Sequence, residues 1–336
     1  MIKLILAFAL TLSFGNIYAD SFSIMTMNVQ NLFDAKDDYK KDDKAYLPLS
    51  MKQNEAHQSS CKKIRVKTWR NECLYLDWND EAKDAKLKNI FNTIISYEEA
   101  GPDIIFFQEI ENLNILRQLF VLLESYGYKH YQLLEGNDYR GIDNAVISKY
   151  EIKESKLHYI KFIGKNSKKD TRPILDILIN IQNTNVRFYG VHFPAPYLDY
   201  EMREQAFITL NELLINNKEP SIALGDFNVT SVEETKENMF NKHSNLWEIA
   251  HFIGCIDCKG TYYYAPDNNW SFLDTILASK NRNISLIPES IQLLKTPINI
   301  DDDNKPLRFS TKNFKGVSDH IPLVAKVKLT KKDLVD

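Results

Sequence analysis

The chain is 336 residues long, 44% hydrophobic and 26% charged, with 42 Lys and Arg against 45 Asp and Glu, a formal net charge of −3. That apolar share supports a large core and excludes wholesale disorder. The near-neutral balance excludes a uniformly basic nucleic-acid coat protein, though not an enzyme with a locally basic cleft.

Residues 1–19 carry one early positive charge, Lys3, then an apolar run from Leu4 to Gly15, and end in Ala19. The pattern predicts a secretory signal peptide, too short to span a bilayer. The mature chain, residues 20–336, is then expected to be soluble and either secreted or periplasmic. No later stretch reaches the ~20 apolar residues of a membrane span. Export places Cys61, Cys73, Cys255 and Cys258 in an oxidising compartment. Three pairings are open; the local pairs Cys61–Cys73 and Cys255–Cys258 are favoured, with a four-thiolate zinc site as the alternative.

Residues 21–29 alternate apolar and polar and predict a first strand. Residues 35–84 are charged and poorly periodic, which reads as a long insertion. Leu87, Ile90, Phe91, Ile94 and Ile95 recur at helical spacing, and Gly101-Pro102 ends that helix. A strand at 103–108 and an amphipathic helix at 113–123 follow. Strands are then predicted at 144–148, 174–181 and 186–192, a helix at 200–215, and strands at 221–224, 272–278 and 321–327. Length alone suggests about two domains. The absence of repeats and low-complexity linkers favours one α/β domain over 20–336, with two packed sheets and helices outside.

Four predicted strands end in polar groups: Asn28 in TMNVQNLFD, Gln108-Glu109 in DIIFFQEIE, Asp226 and Asn228 in IALGDFNVT, and Asp319-His320 in GVSDHIPLV. One such ending is ordinary turn chemistry. Four together, with hard oxygen donors and a histidine, point to a Mg²⁺ site with a general acid or base, Mn²⁺ or Ca²⁺ being substitute or accessory ions.

These segments, with RGIDNAVIS, TRPIL, GVHFPAP and WSFLDTILAS, resemble the endonuclease/exonuclease/phosphatase superfamily, which includes deoxyribonuclease I and exonuclease III. They keep that family's order from Thr26 to Leu323. The resemblance implies a four-layered sandwich of two mainly antiparallel β-sheets flanked by helices. It also implies that Glu109 binds the metal, helped by Asn28 and supported by Asp319. Asp226 and Asn228 would orient the attacking water and contact the scissile phosphate. His320 would be the essential histidine, oriented by Asp274, and His192 the second histidine of the deoxyribonuclease branch. Asp143 would partner His192, and Arg172 would grip a phosphate. Gln30 stands where exonuclease III relatives carry Asp or Glu.

Weaker signals remain. Between Lys149 and Arg172 eight Lys or Arg stand against three Asp or Glu, either a nucleic-acid contact or a solvated hairpin. Tyr262, Tyr263 and Tyr264 with Trp270 could stack bases or line the cleft. Asp301, Asp302 and Asp303 read mainly as a solvated loop, and Arg203 as a structural ion pair. His57, His130, His158, His243 and His251 lie in no motif.

The resulting expectation is an exported, monomeric, Mg²⁺-dependent nuclease acting on DNA, with RNA as an open second substrate. The WSFLDTIL segment lacks the cysteine-aspartate-arginine run of inositol-phosphate phosphatases, and no compact Trp/Phe cluster suggests a membrane-inserting hairpin. An exported phosphodiesterase or phosphatase acting on a lipid or small-molecule phosphate is the alternative. A binding module that has lost catalysis is the third reading, opposed by the complete residue set.

Overall fold

The computed structural model describes residues 21–330, so the predicted signal peptide lies outside the described residues. Two sheets dominate. The first has β1 (Ser21–Leu32), β2 (Ile104–Ile110), β3 (His130–Leu133) and β4 (Asp143–Ser148). The second contains β5 (Glu151–His158), β6 (Ile174–Ile181), β7 (Thr184–His192), β8 (Ser221–Asp226) and β9 (Trp247–Ile249). A small hairpin of β10 (Tyr262–Tyr264) and β11 (Asn269–Ser271) precedes β12 (Asp274–Ser279), which returns to the second sheet. The strands β13 (Ile284–Leu286), β14 (Gln292–Leu293) and β15 (Leu323–Leu329) complete the first sheet. The orders are β13-β15-β1-β2-β4-β3, with β14 on β15, and β5-β6-β7-β8-β12-β9. Only β1–β2 and β7–β8 pair parallel; the other pairs are antiparallel.

Strand parity builds the layers. Phe22, Ile24, Ile104, Phe106 and Val146 of the first sheet meet Ile177, Phe188, Ile222, Leu224 and Ile276 of the second in one core. The opposite parity of the first sheet, including Met25, Met27, Ile105 and Phe107, packs under α3 (Asp80–Ile95) and α4 (Leu113–Leu123). On the second sheet Tyr189, Val191, Ala223 and Leu277 lie under α5 (Tyr200–Ile215). Helix, sheet, sheet, helix is the sandwich expected. Between the sheets Phe106 covers Gly190, and a Cβ there would sit 2.8 Å from the ring.

Every strand and helix predicted from periodicity is present. The 35–84 stretch is more ordered than its pattern suggested, because its helices are too short and polar to show a stripe. It folds into α1 (Glu55–Lys62) and α2 (Lys67–Tyr75), joined by the Cys61–Cys73 disulfide. Lys52, fully buried, donates from Nζ to the carbonyls of Ala45 and Leu76, each at 2.7 Å, and Glu72 at 3.3 Å. Helix α3 starts at Asp80, where Asn79 Oδ1 caps Ala82 N–H at 3.0 Å, two turns before the apolar stripe. Two short helices, α6 (Ser231–Glu237) and α7 (Ala250–Ile253), complete the set. Among the described residues no helix is long and apolar enough to cross a membrane.

Candidate active site

The same parity that makes the central core makes the site. In β1 the face bearing Phe22 and Ile24 continues through Thr26 to Asn28; in β8 the face of Ile222 and Leu224 ends in Asp226. In β7, Val186 and Phe188 lead to His192, and in β12, Asp274 shares the face of Ile276. Four polar side chains therefore emerge together where the inter-sheet core ends. The backbone register agrees, since Asp226 stands opposite His192 on one side and Asp274 on the other.

Glu109 reaches the cleft by a different route. Strict alternation would send it to the helix side, because Gln108 has the parity of Ile104 and Phe106. The β2–β4 register breaks between Phe107 and Ile110, and Glu109 has φ +67°. This bulge turns its carboxylate toward Asn28, whose Nδ2 donates to Glu109 Oε1 at 3.4 Å and to Asp226 Oδ2 at 3.1 Å. Asn228 is likewise left-handed, at φ +55°; its N–H donates to Asp226 Oδ1 at 2.8 Å and its Nδ2 to the Phe193 carbonyl at 2.9 Å. In the GDFN run only glycine fits at Gly225, where φ is +143° and a Cβ would lie 2.0 Å from the Val191 carbonyl oxygen.

The two histidines differ electrostatically. His320 Nδ1 lies 2.6 Å from Asp274 Oδ2, while its Nε2 is 3.8 Å from Asp319 Oδ1. Burial opposes its charge, but Asp274, then Asp319 and Asp226, outweigh that and raise it to about 10. His192 Nε2 lies 3.6 Å from Asp226 Oδ2 and 3.9 Å from Glu109 Oε1. Burial, followed by Arg172, Arg140 and His320, holds it well below the usual histidine range. Asp226 itself is pushed up, chiefly by burial and then by Asp274. One imidazolium and one neutral imidazole thus flank a carboxylate with reduced acidity, a division suited to acid–base work.

Several expected roles change. Asp143 does not meet His192: it has the outward parity of Ala145 and Ile147, and its Oδ1 accepts the Gly136 N–H at 2.9 Å. His192 Nδ1 is buried without a hydrogen-bond partner. Asn144, next to Asp143 in the chain, takes the inward position, donating to the carbonyls of Pro173 and Gly190 at 3.2 and 3.3 Å. Arg172 donates to the carbonyls of His192 at 3.2 Å and Phe193 at 2.9 Å and to Asp138 at 3.3 Å, within the charge field of Glu109 and Asp226. It braces the strand end that carries His192. Asp319 accepts an ion pair from Arg308 at 2.8 Å.

Three residues carry no sequence signal strong enough to select them. Arg140 lies within the charge field of Glu109 and Asp138. Arg308 comes from an irregular loop. Lys86 could have been noticed as a lysine one turn before Ile90 on an apolar stripe. Its Nζ holds the carbonyls of Gln30 at 2.5 Å and Asn31 at 3.4 Å, both residues at positive φ just past Asn28. Burial pushes Lys86 down to about 7, against the opposing pull of Glu109 and Asp319.

The remaining signals resolve simply. Tyr262 bridges to His320 and its ring lies 5.1 Å away, so the β10–β11 hairpin lines the site. Arg203 pairs with Glu233, and Asp301 Oδ1 accepts the N–H groups of Asp303 and Lys305 in a turn. His158, His243 and His251 bond Asp176, Asn211 and Thr275. Cys255 pairs with Cys258 as well as Cys61 with Cys73, which leaves no thiolate for zinc.

The donor set fits a divalent metal. Carboxylate oxygens of Asp226 and Asp274 lie within 4.8 Å of each other and of a ring nitrogen of His320, and Asp274 Oδ1 is buried with no hydrogen-bond partner. Glu109 adds a hard oxygen beside them, while Asn28 turns its Nδ2 to the acids and its Oδ1 accepts the Gln30 N–H at 2.9 Å. A second His57–Cys61–Cys73 grouping has both sulfurs in a disulfide.

The fold recurs in solved structures. A Bacteroides thetaiotaomicron endonuclease/exonuclease/phosphatase family protein is 14% identical, with TM-score 0.57, covering 93% of this chain and 98% of its own. A D. rerio TDP2 complexed with single-strand DNA product is 13% identical, with TM-score 0.55 and coverages of 92% and 99%. A Bacteroides thetaiotaomicron mannosyl-6-phosphatase is 15% identical, with TM-score 0.54 and coverages of 92% and 100%. Among curated proteins none matches this sequence. The sequence model of the Endonuclease/Exonuclease/phosphatase family matches residues 68–320, and with this fold and acid–histidine site the chain belongs to that family of metal-dependent hydrolases.

Proposed function

We propose that the chain is an exported, monomeric Mg²⁺-dependent nuclease that hydrolyses DNA phosphodiesters, with RNA as a second substrate. The observation that carries this reading is the convergence of two histidines on the site acids, His192 Nε2 3.6 Å from Asp226 Oδ2 and His320 Nδ1 2.6 Å from Asp274 Oδ2. A phosphodiester needs a proton taken from water and a proton or positive charge supplied to the departing oxygen. Asp226, held by Asn28 and the Asn228 N–H, orients water, and His192 takes up its proton. His320, fixed by Asp274, offers its Nε2 proton to the phosphate side. Mg²⁺ held by Glu109, with Asp226 and Asp274 near and Asn28 orienting both Glu109 and Asp226, would supply positive charge to the phosphate oxygens.

A basic edge supports a polyanionic substrate. The β5–β6 register pairs His158 with Ile174, while Leu175 pairs with Gly190 near His192. The loop between β5 and β6 is therefore at the site end, carrying exposed Lys161, Lys168 and Lys169. A second reading, an exported phosphodiesterase or phosphatase for a lipid or small-molecule phosphate, draws on Tyr46. This tyrosine of the 35–84 stretch stands in the charge field of Glu72, Glu109, Arg140 and Asp319.

Plasmid DNA, RNA, sphingomyelin and a p-nitrophenyl phosphate monoester, each with Mg²⁺ and with chelator, test the choice. Metal-dependent cleavage of the plasmid is expected. Turnover of only the monoester or only sphingomyelin replaces the nuclease reading with the second.

A further inference from the structure

Helix α3 carries two polar side chains one turn apart, Lys86 and Asn89, beside the buried stripe of Leu87, Ile90 and Ile94. Both are spent on backbone carbonyls of loops that border the cleft. Lys86, 2% exposed, donates from Nζ to the carbonyls of Gln30 at 2.5 Å and Asn31 at 3.4 Å. Asn89 Nδ2 donates to the carbonyls of Phe314 and Gly316, each at 2.9 Å. The first loop follows Asn28 and the second leads into Asp319 and His320.

Each loop is bent into a conformation that side chains disfavour. Gln30, Asn31 and Phe314 have φ of +51°, +60° and +57°. The β1–β2 register breaks over the same stretch, between Asn28 and Leu32. An ammonium aimed at the two carbonyls favours the bent turn over an extended one, because straightening it would forfeit charge-assisted hydrogen bonds. The ammonium also faces two rings, 5.6 Å from the Trp78 centroid and 5.8 Å from that of Phe309. Trp78 in turn donates from Nε1 to the Phe33 carbonyl at 3.1 Å, so the run from Gln30 to Phe33 is gripped at both ends. Among the described residues no carboxylate lies within ion-pair distance of Lys86; its charge is directed at carbonyls and rings.

What the first turn presents is Asn28. Gln30 N–H donates to Asn28 Oδ1 at 2.9 Å, which commits the amide to send Nδ2 toward Asp226 Oδ2 at 3.1 Å and Glu109 Oε1 at 3.4 Å. A Gln30 in extended backbone would withdraw that N–H and release the Asn28 amide. We propose that Lys86 is a positioning residue of the active site. It holds the left-handed Gln30–Asn31 turn and through it the Asn28 amide between Glu109 and Asp226, while Asn89 holds the His320 loop from the same helix. The role rests on the reading of Asn28, Glu109, Asp226 and His320 as the hydrolytic groups, whichever phosphate ester is cleaved.

Lys86→Met keeps an unbranched stem and removes the charge and its hydrogen bonds. On whichever of plasmid DNA, RNA, sphingomyelin or the monoester the parent hydrolyses, kcat should fall about tenfold to 10²-fold with KM within about twofold. Lys86→Arg should recover most of that loss. In an Asn28→Ala background Lys86→Met should be nearly silent, because its effect passes through the Asn28 amide. Hydrogen exchange at the Gln30 amide, followed by NMR, needs no substrate. Lys86→Met should speed it by about tenfold or more while amides of the β1–β15 ladder keep their rates. Asn89→Ala, read at the His320 amide, serves where the Lys86 variants fail to fold. Unchanged exchange at the probed amide, a Lys86→Met loss that multiplies with that of Asn28→Ala, or a lower melting temperature with kcat intact would overturn the role. A parent inactive on all four substrates would instead remove the proposed function, and the Gln30 exchange rate would still decide the role of Lys86.

Discussion

His320 Nδ1 and Asp274 Oδ2 lie 2.6 Å apart although 46 positions separate them in sequence. Asp274 opens β12 on its inward face, and His320 is held by its bridge to Tyr262 and by its N–H to Ser318 Oγ at 3.1 Å. The pair fixes which nitrogen faces the cleft and keeps the ring charged. Asp274→Asn should lower kcat/KM for a phosphodiester by on the order of 10²-fold or more. Losing the carboxylate lowers the His320 pKa, so the alkaline limb of the pH–rate profile should move to lower pH. An unmoved limb would remove the charged ring from the mechanism.

Glu109 gains its place from a left-handed backbone, so its carboxylate and its conformation can be tested separately. Glu109→Gln keeps the size and should raise the Mg²⁺ concentration needed for half-maximal activity while cutting the maximal rate on the order of 10²-fold. Glu109→Gly relieves the backbone strain and should show a higher melting temperature than Glu109→Ala, with neither active. Activity as a function of Mg²⁺ and thermal melts provide the readouts.

Arg172 bonds two carbonyls and one carboxylate while almost wholly buried. Arg172→Leu should therefore cost stability, about 3 kcal/mol by urea unfolding, because three acceptors lose their donor. A phosphate-gripping arginine would raise KM and leave stability alone, and that result would restore the role inferred from TRPIL.

Gly190 lies under Phe106 between the sheets. Gly190→Ala should destabilise the chain by about 1–3 kcal/mol through overpacking, and Gly190→Ala with Phe106→Leu should recover part of that loss. A neutral single variant would mean that the ring shifts freely.

How much of this was legible beforehand follows from the physics of each residue. Asn28, Asp226, Asp274 and His192 lie at the ends of regular strands, and alternation already puts them on one face with the core. In RGIDNA the inward face at the strand end belongs to Asn144, one residue out of step with Asp143. Glu109 runs against alternation, and only its motif could mark it; a bulge leaves no trace in hydrophobic period. Arg308 arrives on an irregular loop and Tyr46 on a single 3-10 turn, Lys44–Tyr46, where position is set by tertiary packing. Lys52 and Lys86 have their ammonium groups satisfied by backbone carbonyls, partners that composition cannot reveal.

Because one face of β1, β7, β8 and β12 carries both the packing and the chemistry, insertions and deletions in this protein have an uneven map. Removing a single residue upstream of Asp226 in β8 would rotate Ile222, Leu224 and the carboxylate out together, so folding and activity would fail as one event. Length changes in the 35–84 stretch leave that phase untouched. Natural and designed variation in chain length should therefore collect in the 35–84 stretch and the connecting loops, with the strand lengths held constant.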